Sequence, residues 1–191
     1  MGRNFSAALA FTLRPENDGQ PYHVDPNHPG GGTAWAVTAG TWAAACEHGY
    51  VRGDLRSASR DHCALVLRQM YWNAIRGEML PSGADILLFD VAVVDGPGRA
   101  ARFLQRTVGA DEDGIIGPQT LRLAAMTEAG ILLAKLTTVD DDFLQGLATC
   151  RYFGSGWERR LYDCVHYAAG FLAPFSVGIS TSRNSILSEH S

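Results

Sequence analysis

The chain has 191 residues, enough for one domain or for a catalytic domain with a small appended module. With 46% hydrophobic and 19% charged residues it can bury an ordinary core, and a net charge of −4 leaves no electrostatic footprint for nucleic acid. The first residues, Met1 to Leu13, hold Arg3 and a short interrupted apolar stretch, without the long apolar region and small-residue cleavage site of a secretory signal. The expectation is therefore a protein made in the cytoplasm. No apolar run approaches the roughly 20 residues of a membrane span, which excludes stable membrane insertion by a helix.

In chain order, Phe5, Leu9 and Leu13 recur every four residues and predict a short amphipathic helix. Pro15 turns Arg14 away from helical geometry, so this helix is expected to end near Glu16. Residues 17–32 form a loop with four glycines, three prolines and no helical period; an irregular segment of that length is functional or locally hairpin-like. Thr38 caps a helix to His48, with Gly49 as its stop, and a further helix spans Ser59 to Ile75, with Cys63, Val66, Leu67 and Met70 inward. Pro81-Ser82-Gly83 is a turn in which Ser82 would cap the apolar helix through Ile86, Phe89 and Val93. Gly96-Pro97-Gly98 separates it from a helix over Arg99–Val108. Asp113-Gly114 and Gly117-Pro118 mark turns, and Pro118 suits the first position of the next helix. Helices over Ile131–Arg151 and Trp157–Phe171 complete an all-α pattern with at most a small β-hairpin, and the polar tail is expected to be disordered.

The chemistry-bearing feature is a helix-end glutamate, Glu16, followed by a polar glycine-rich loop that holds Asp18, Asp25 and Thr33. Cleaving a glycosidic bond requires a protonated acid at the leaving oxygen and a second group that activates water or stabilises the oxocarbenium ion. Other readings of the same segments are weaker. His23, Asp25 and His28 are ligand types within six residues, yet no further pattern completes a metal site. Gly30-Gly31-Gly32 lacks the Lys-Ser/Thr of a phosphate cradle. Asp111-Glu112-Asp113-Gly114 reads as a turn, Asp140-Asp141-Asp142 as a solvated helix edge, and Trp157, Arg159 and Arg160 as a lid over the core. The four cysteines form no C-x-x-C pair and read as buried free thiols, with one disulfide as the alternative in a protein that reaches the periplasm. No cofactor and no metal are expected.

The string Pro26-Asn27-His28-Pro29-Gly30-Gly31-Gly32-Thr33, then Val37-Thr38, resembles glycoside hydrolase family 108, the lysozyme-like muramidases, whose motif runs roughly E-G-G-Y-x-x-D-P-x-D-P-G-G-x-T-x-x-G-[IV]-T. The resemblance continues through Tyr71-Trp72, Leu80-Pro81-Ser82-Gly83, Phe89-Asp90, Gly96 to Ala101, Phe103-Leu104-Gln105 and Asp113 to Leu121, where it is to the peptidoglycan-binding module usually fused behind this catalytic segment. It implies a lysozyme-like helical fold, a catalytic segment at residues 1–80, a helical wall-binding module at 81–175 packed on it, and a tail at 176–191. It also implies hydrolysis of the β-1,4 bond between N-acetylmuramic acid and N-acetylglucosamine, with peptidoglycan glycan strands as partner. The biological setting would be an endolysin or a virion- or secretion-associated muramidase, exported by a holin, a secretion machine or a phage particle.

Glu16 aligns with the family's general acid. Asp25, which keeps the Asp-Pro context, and Thr33, which can hold a water, are the other catalytic candidates; Tyr71, Trp72, Asp18, Arg99 and Gln105 are the substrate-binding ones. The chain departs from the pattern in four ways. About three residues are inserted after Glu16, His28 replaces the family's second aspartate, Ala36 replaces a usual glycine, and Val94-Asp95 stand where Asn-Ser or similar is common. A lytic transglycosylase that uses Glu16 alone, and a non-catalytic wall-binding or virion protein, are the alternatives those departures leave open.

Overall fold

A computed structural model describes residues 4–14, 19–24, 31–148 and 150–172. The helices are α1 (Phe5–Thr12), α2 (Ala39–Glu47), α3 (Arg60–Leu67), α4 (Ala84–Asp95), α5 (Pro97–Val108), α6 (Pro118–Met126), α7 (Ala129–Gly146) and α8 (Cys150–Ala169). Three short strands, β1 (His23–Val24), β2 (Gly32–Ala34) and β3 (Val37–Thr38), form an antiparallel meander in the order β1-β2-β3. This is the all-α, lysozyme-like architecture with one small sheet that the sequence implies.

α4 occupies the centre because its sequence leaves it no solvent face: every residue from Ala84 to Ala92 is buried. A helix apolar all round must be surrounded, and α1, α5, α7 and α8 pack against it. Phe5 meets Trp72 and Phe89 edge-on at centroid separations of 5.4 and 5.8 Å, joining α1 to α4. One hydrophobic cluster takes in Phe11, Val37 and Trp72 from the first 80 residues and Phe89, Leu104, Leu132 and Leu161 from the remainder. The expected catalytic and wall-binding segments thus share a core.

Local punctuation follows the chain's capping residues. The Thr38 hydroxyl accepts from Thr41 N at 3.2 Å, Ser59 caps α3 in the same way, and Pro97 and Pro118 open α5 and α6. Gly109 closes α5 in the left-handed conformation. Cys63 and Cys164 are buried free thiols as expected, with Cys46 half-buried.

Four expectations change. α1 ends at Thr12, earlier than Glu16, with Leu13 and Arg14 as its last turn. Ser82 does not cap α4; Gly83, at φ +88°, stands at that position without a side-chain bond. The α7–α8 break falls after Gly146, and α8 begins at Cys150. Asp140 is not on a solvated edge: it is buried, one turn beyond the buried Leu136, which sets that face of α7 inward. The tail at 176–191 lies outside the described residues.

Candidate active site

The end of α1 is held from several sides. The Thr12 hydroxyl donates to Asp90 of α4 at 3.0 Å, and the Asp90 carboxylate accepts two bonds from Arg160 of α8, each 2.9 Å. The Arg14 guanidinium lies 4.7 Å from the Phe11 ring centroid and 5.1 Å from that of Tyr167 on α8. Gly19 N then donates to the Arg14 carbonyl at 2.9 Å, so the chain leaves at Arg14 and returns to it at Gly19. A Cβ at Gly19 would run into the Leu13 carbonyl, which is why the return requires glycine. Glu16 and Asp18 fall between these two anchors in sequence and lie, like Asp25 and His28, outside the described residues.

The returning strand feeds the sheet. Trp35 N donates to the Gln20 carbonyl at 2.7 Å, tying the loop to the β2–β3 turn. Gly32 is backed by the Tyr22 ring, which occupies the space a Cβ would need. In register, Thr33 pairs with His23 on one side and Thr38 on the other. Directly opposed residues share a sheet face, so His23, Thr33 and Thr38 form one row. The opposite face presents Ala34 and Val37 to the core.

That row extends into a hydroxyl chain. Thr38 Oγ1 and Thr41 Oγ1 are 3.1 Å apart, and Thr41 Oγ1 and the Tyr71 hydroxyl 3.0 Å. Tyr71 reaches it from a single π-helical segment, Arg68–Trp72, where Asn73 N bonds to the Arg68 carbonyl at 3.0 Å. A π-turn adds one residue to a helix and re-aims the side chains beyond it, a device common at functional sites. Here it points Tyr71 to the sheet and Trp72 to the core. The His23 ring meets the Pro21 carbonyl through Nδ1 at 3.1 Å, which fixes the ring's orientation.

Of the site residues expected from sequence, the structure brings Thr33 and Tyr71 to one polar surface. It removes Trp72, which is fully buried against Phe5 and Phe89 with its indole N–H donated to Glu78 at 3.1 Å. It also removes Gln105. That side chain is buried, donates to Asp113 Oδ1 and the Ile115 carbonyl, and accepts from Gly114 N, so it braces the 113–117 turn and has nothing to offer a glycan. Arg99 is solvent-accessible, but its partners are Asp95 on α4 and the Phe143 ring on α7. Sequence reasoning did not place His23, Thr38 or Thr41 in the site; Thr38 read only as a cap and His23 only as a ligand type. The family motif's trailing threonine was the available signal for Thr38. Among the described residues no cluster of three His, Cys, Asp or Glu side chains could hold a metal ion, and no helix is long and apolar enough to cross a membrane.

The end of α1 thus closes on a three-stranded meander through the Arg14–Gly19 and Gln20–Trp35 backbone bonds, with a hydroxyl-rich row beside it. The Glycosyl hydrolase 108 family model matches residues 9–96, a span that runs from α1 through the sheet and Tyr71 to the end of α4. The solved structure of Brucella abortus SagA is similar over 96% of this chain and 98% of its own, at 30% identity and a TM-score of 0.78. No curated protein matches. The chain belongs to the glycosyl hydrolase 108 family, so it is a glycoside hydrolase by family and its substrate is a glycan.

Proposed function

We propose that this glycoside hydrolase cleaves the β-1,4 bond between N-acetylmuramic acid and N-acetylglucosamine in peptidoglycan, with Glu16 as general acid. The observation that carries this reading is the pair of closures at the α1 end: the Arg14–Gly19 backbone bond brackets the Glu16 segment in sequence, and the Gln20–Trp35 bond ties the chain just after it to the turn that follows the strand bearing Thr33. Glu16 gives its proton to the leaving glycosidic oxygen as the bond to the anomeric carbon breaks. Asp25 then supplies the second function, either taking the proton of an attacking water that the Thr33 hydroxyl holds or supporting the oxocarbenium ion. The row of His23, Thr33, Thr38, Thr41 and Tyr71 suits the hydroxyl and acetamido groups of a sugar strand, which are recognised by hydrogen bonds and aromatic faces rather than by charge.

Asp18 is the alternative second carboxylate, and residues 81–175, with exposed Arg99, are the segment proposed to grip the wall. The setting proposed is an endolysin or a virion- or secretion-associated muramidase.

Purified sacculi incubated with the wild-type chain and with Glu16→Gln test the reading. Soluble muropeptides with reducing N-acetylmuramic acid ends are expected from the wild type, and a rate lower by about two to four orders of magnitude from the variant. Products lighter by one water would identify a lytic transglycosylase instead. Near wild-type turnover by Glu16→Gln would overturn the assignment of the acid.

A further inference from the structure

A pocket of about 160 Å³ lies between α4, α7 and α8, away from the sheet. It is the size of an engineered cavity that accepts one benzene-sized molecule. Its walls are Leu87, Val91, Leu144 and Leu161, with the Trp157 indole, and the half-exposed Val94 stands at its rim. Three carboxylates enter this apolar space: Asp90 and Asp95 from α4 and Asp140 from α7.

Two of the three are already neutralised. Asp90 is gripped by Arg160 through two 2.9 Å bonds, and Asp95 accepts from Arg99 at 2.9 Å. Asp140 is 94% buried (6% exposed), lines the pocket, and has no hydrogen bond or ion pair within the described residues. A carboxylate withdrawn from water without a partner is strongly disfavoured. The pocket therefore combines an apolar sleeve, an aromatic wall and a single unbalanced negative charge.

We propose that this pocket binds an aliphatic ammonium group, with Asp140 as its counter-ion. An alkyl stem of four or five carbons would replace water along the leucine and valine walls, and its terminal ammonium would supply the bonds Asp140 lacks. An indole face beside a cation adds a further attraction. The ligand chemistry is that of a lysine-type side chain, carried on a peptide or free as a small amine. The inference is independent of the glycan reading, because it concerns binding at a site that Glu16 does not touch.

The charged and titratable groups around Asp140 set the pH dependence. Burial first, then Asp95, Asp90 and the adjacent Asp141, push the Asp140 carboxyl up to about 7. Among the described residues, Arg160 and Cys164 on α8 and Arg99 on α5, which bonds Asp95, belong to the same cluster, and burial holds the Cys164 thiol well above its ordinary range. A proton and the ammonium compete for Asp140, so affinity rises with pH through about 7 and levels off above it. A lysine-type amine stays charged throughout that range.

Thermal denaturation of the full chain at pH 8 with 1-pentylammonium chloride tests the proposal, beside sodium chloride at equal ionic strength, 1-pentanol and Nα-acetyl-lysine amide. A saturable rise in midpoint with pentylammonium, at least fivefold weaker in apparent affinity for Asp140→Asn and at pH 6, is expected. Binding by pentylammonium alone assigns the site to free amines; equal or tighter binding by the lysine derivative assigns it to peptide-borne side chains. As a second readout, the ¹³C titration of the Asp140 carboxyl should move to lower pH when the amine is added. No saturable rise, the same rise with pentanol, or undiminished binding by Asp140→Asn would overturn the proposal.

Discussion

Arg160 and Thr12 share one carboxylate: Asp90 accepts from the guanidinium of Arg160 on α8 and from the Thr12 hydroxyl at the last residue of α1. Through Asp90, α8 holds the helix end that precedes Glu16 by four residues. The Asp90 side chain is 7% exposed and that of Arg160 22%, so the pair is largely shielded from water. Arg160, read from sequence as part of a lid over the core, acts here as a strut.

Removing one partner of such a pair leaves the other charge buried. Arg160→Ala is therefore expected to destabilise the fold by about 3 kcal/mol, and Asp90→Asn by a comparable amount. Arg160→Lys should recover only part, because an ammonium cannot reproduce the two-pronged contact. Denaturant melts measure these differences. Thr12→Val, which loses one hydrogen bond and keeps the volume, is expected to cost about 1–2 kcal/mol. If the strut positions the acid, Thr12→Val will also lower kcat at a temperature where the variant is fully folded, with KM unchanged.

Thr33 lies in the centre of the polar row, between His23 and Thr38. Thr33→Val keeps shape and β-branching and removes only the hydroxyl, so stability should change by less than about 1 kcal/mol. If the hydroxyl holds the attacking water, turnover on sacculi is expected to fall roughly 10²-fold, within the range for a positioned polar group, and Thr33→Ser to recover most of it. A Thr33→Val enzyme with wild-type rates would leave Asp25 as the second group. In that event Asp25→Asn should be more damaging than Asp18→Asn, since Asp25 alone keeps the family's Asp-Pro context.

Much of the helical frame was legible because caps are local chemistry. Thr38, Ser59, Pro118 and Gly109 do in the structure what their residue types dictate. The site was less legible because its parts meet through register and helix phase. The His23–Thr33–Thr38 row exists only once three strands pair, and one extra residue in the Arg68–Trp72 turn decides that Tyr71 faces the sheet while Trp72 does not. Asp140 illustrates the opposite error: a run of three aspartates looks solvated, yet a helix buries residues by phase, and the first of the run falls on the inner face.

The turn between β2 and β3 carries a removable strain. Trp35 and Ala36, the two residues linking the Ala34–Val37 pair, have φ of +49° and +62°. Positive φ at both positions marks the two-residue hairpin turn that favours Asn-Gly, and the left-handed conformation costs an alanine about 1 kcal/mol or more. Ala36→Gly, which restores the family's usual residue, is expected to stabilise the protein by about 0.5 kcal/mol after the greater freedom of glycine in the unfolded chain is counted. Differential scanning calorimetry would show a small rise in midpoint; a fall would mean that the alanine methyl packs usefully.

Stability should depend on pH in the direction opposite to that of an ordinary salt-bridged carboxylate. Burial raises Asp140 to about 7 and Asp85 to about 6 from an ordinary 3.8, the latter despite bonds from Asn4 and Ile86 N. A folded-state value above the unfolded one means that the native protein holds the proton more tightly. The resulting stability is fully present below 3.8 and is lost as pH rises through about 6 for Asp85 and about 7 for Asp140. Asp140→Asn is therefore expected to stabilise the ligand-free protein by about 2–3 kcal/mol more at pH 8 than at pH 5, because the loss begins at 3.8 and is complete only above about 7. Equal effects at both pH values would show that Asp140 does not titrate in this window.

The tightest geometric demand near the acid falls on Gly19. Its N–H closes on the Arg14 carbonyl at 2.9 Å, and an added Cβ would collide with the backbone carbonyls of Leu13 and Arg14 rather than with a side chain that can swing aside. In Gly19→Ala the closing bond must therefore lengthen or break, and the next residue, Gln20, carries the carbonyl that holds Trp35 N and the β2–β3 turn. Both anchors of the Glu16 segment move together, while α4 and the helices around it are untouched. The expected result is unchanged far-ultraviolet dichroism, a loss of about 1–3 kcal/mol in stability, and a fall in kcat of roughly 10² as the acid is misplaced. Gly156→Ala is the matching control: it lies within α8, exposed and with open space around its Cβ position, and should gain up to about 1 kcal/mol with no change in rate. If Gly19→Ala retains the wild-type kcat at full folding, the return of the chain to Arg14 is a folding device alone, and the orientation of Glu16 must come from the α1 side through Thr12 and Arg14.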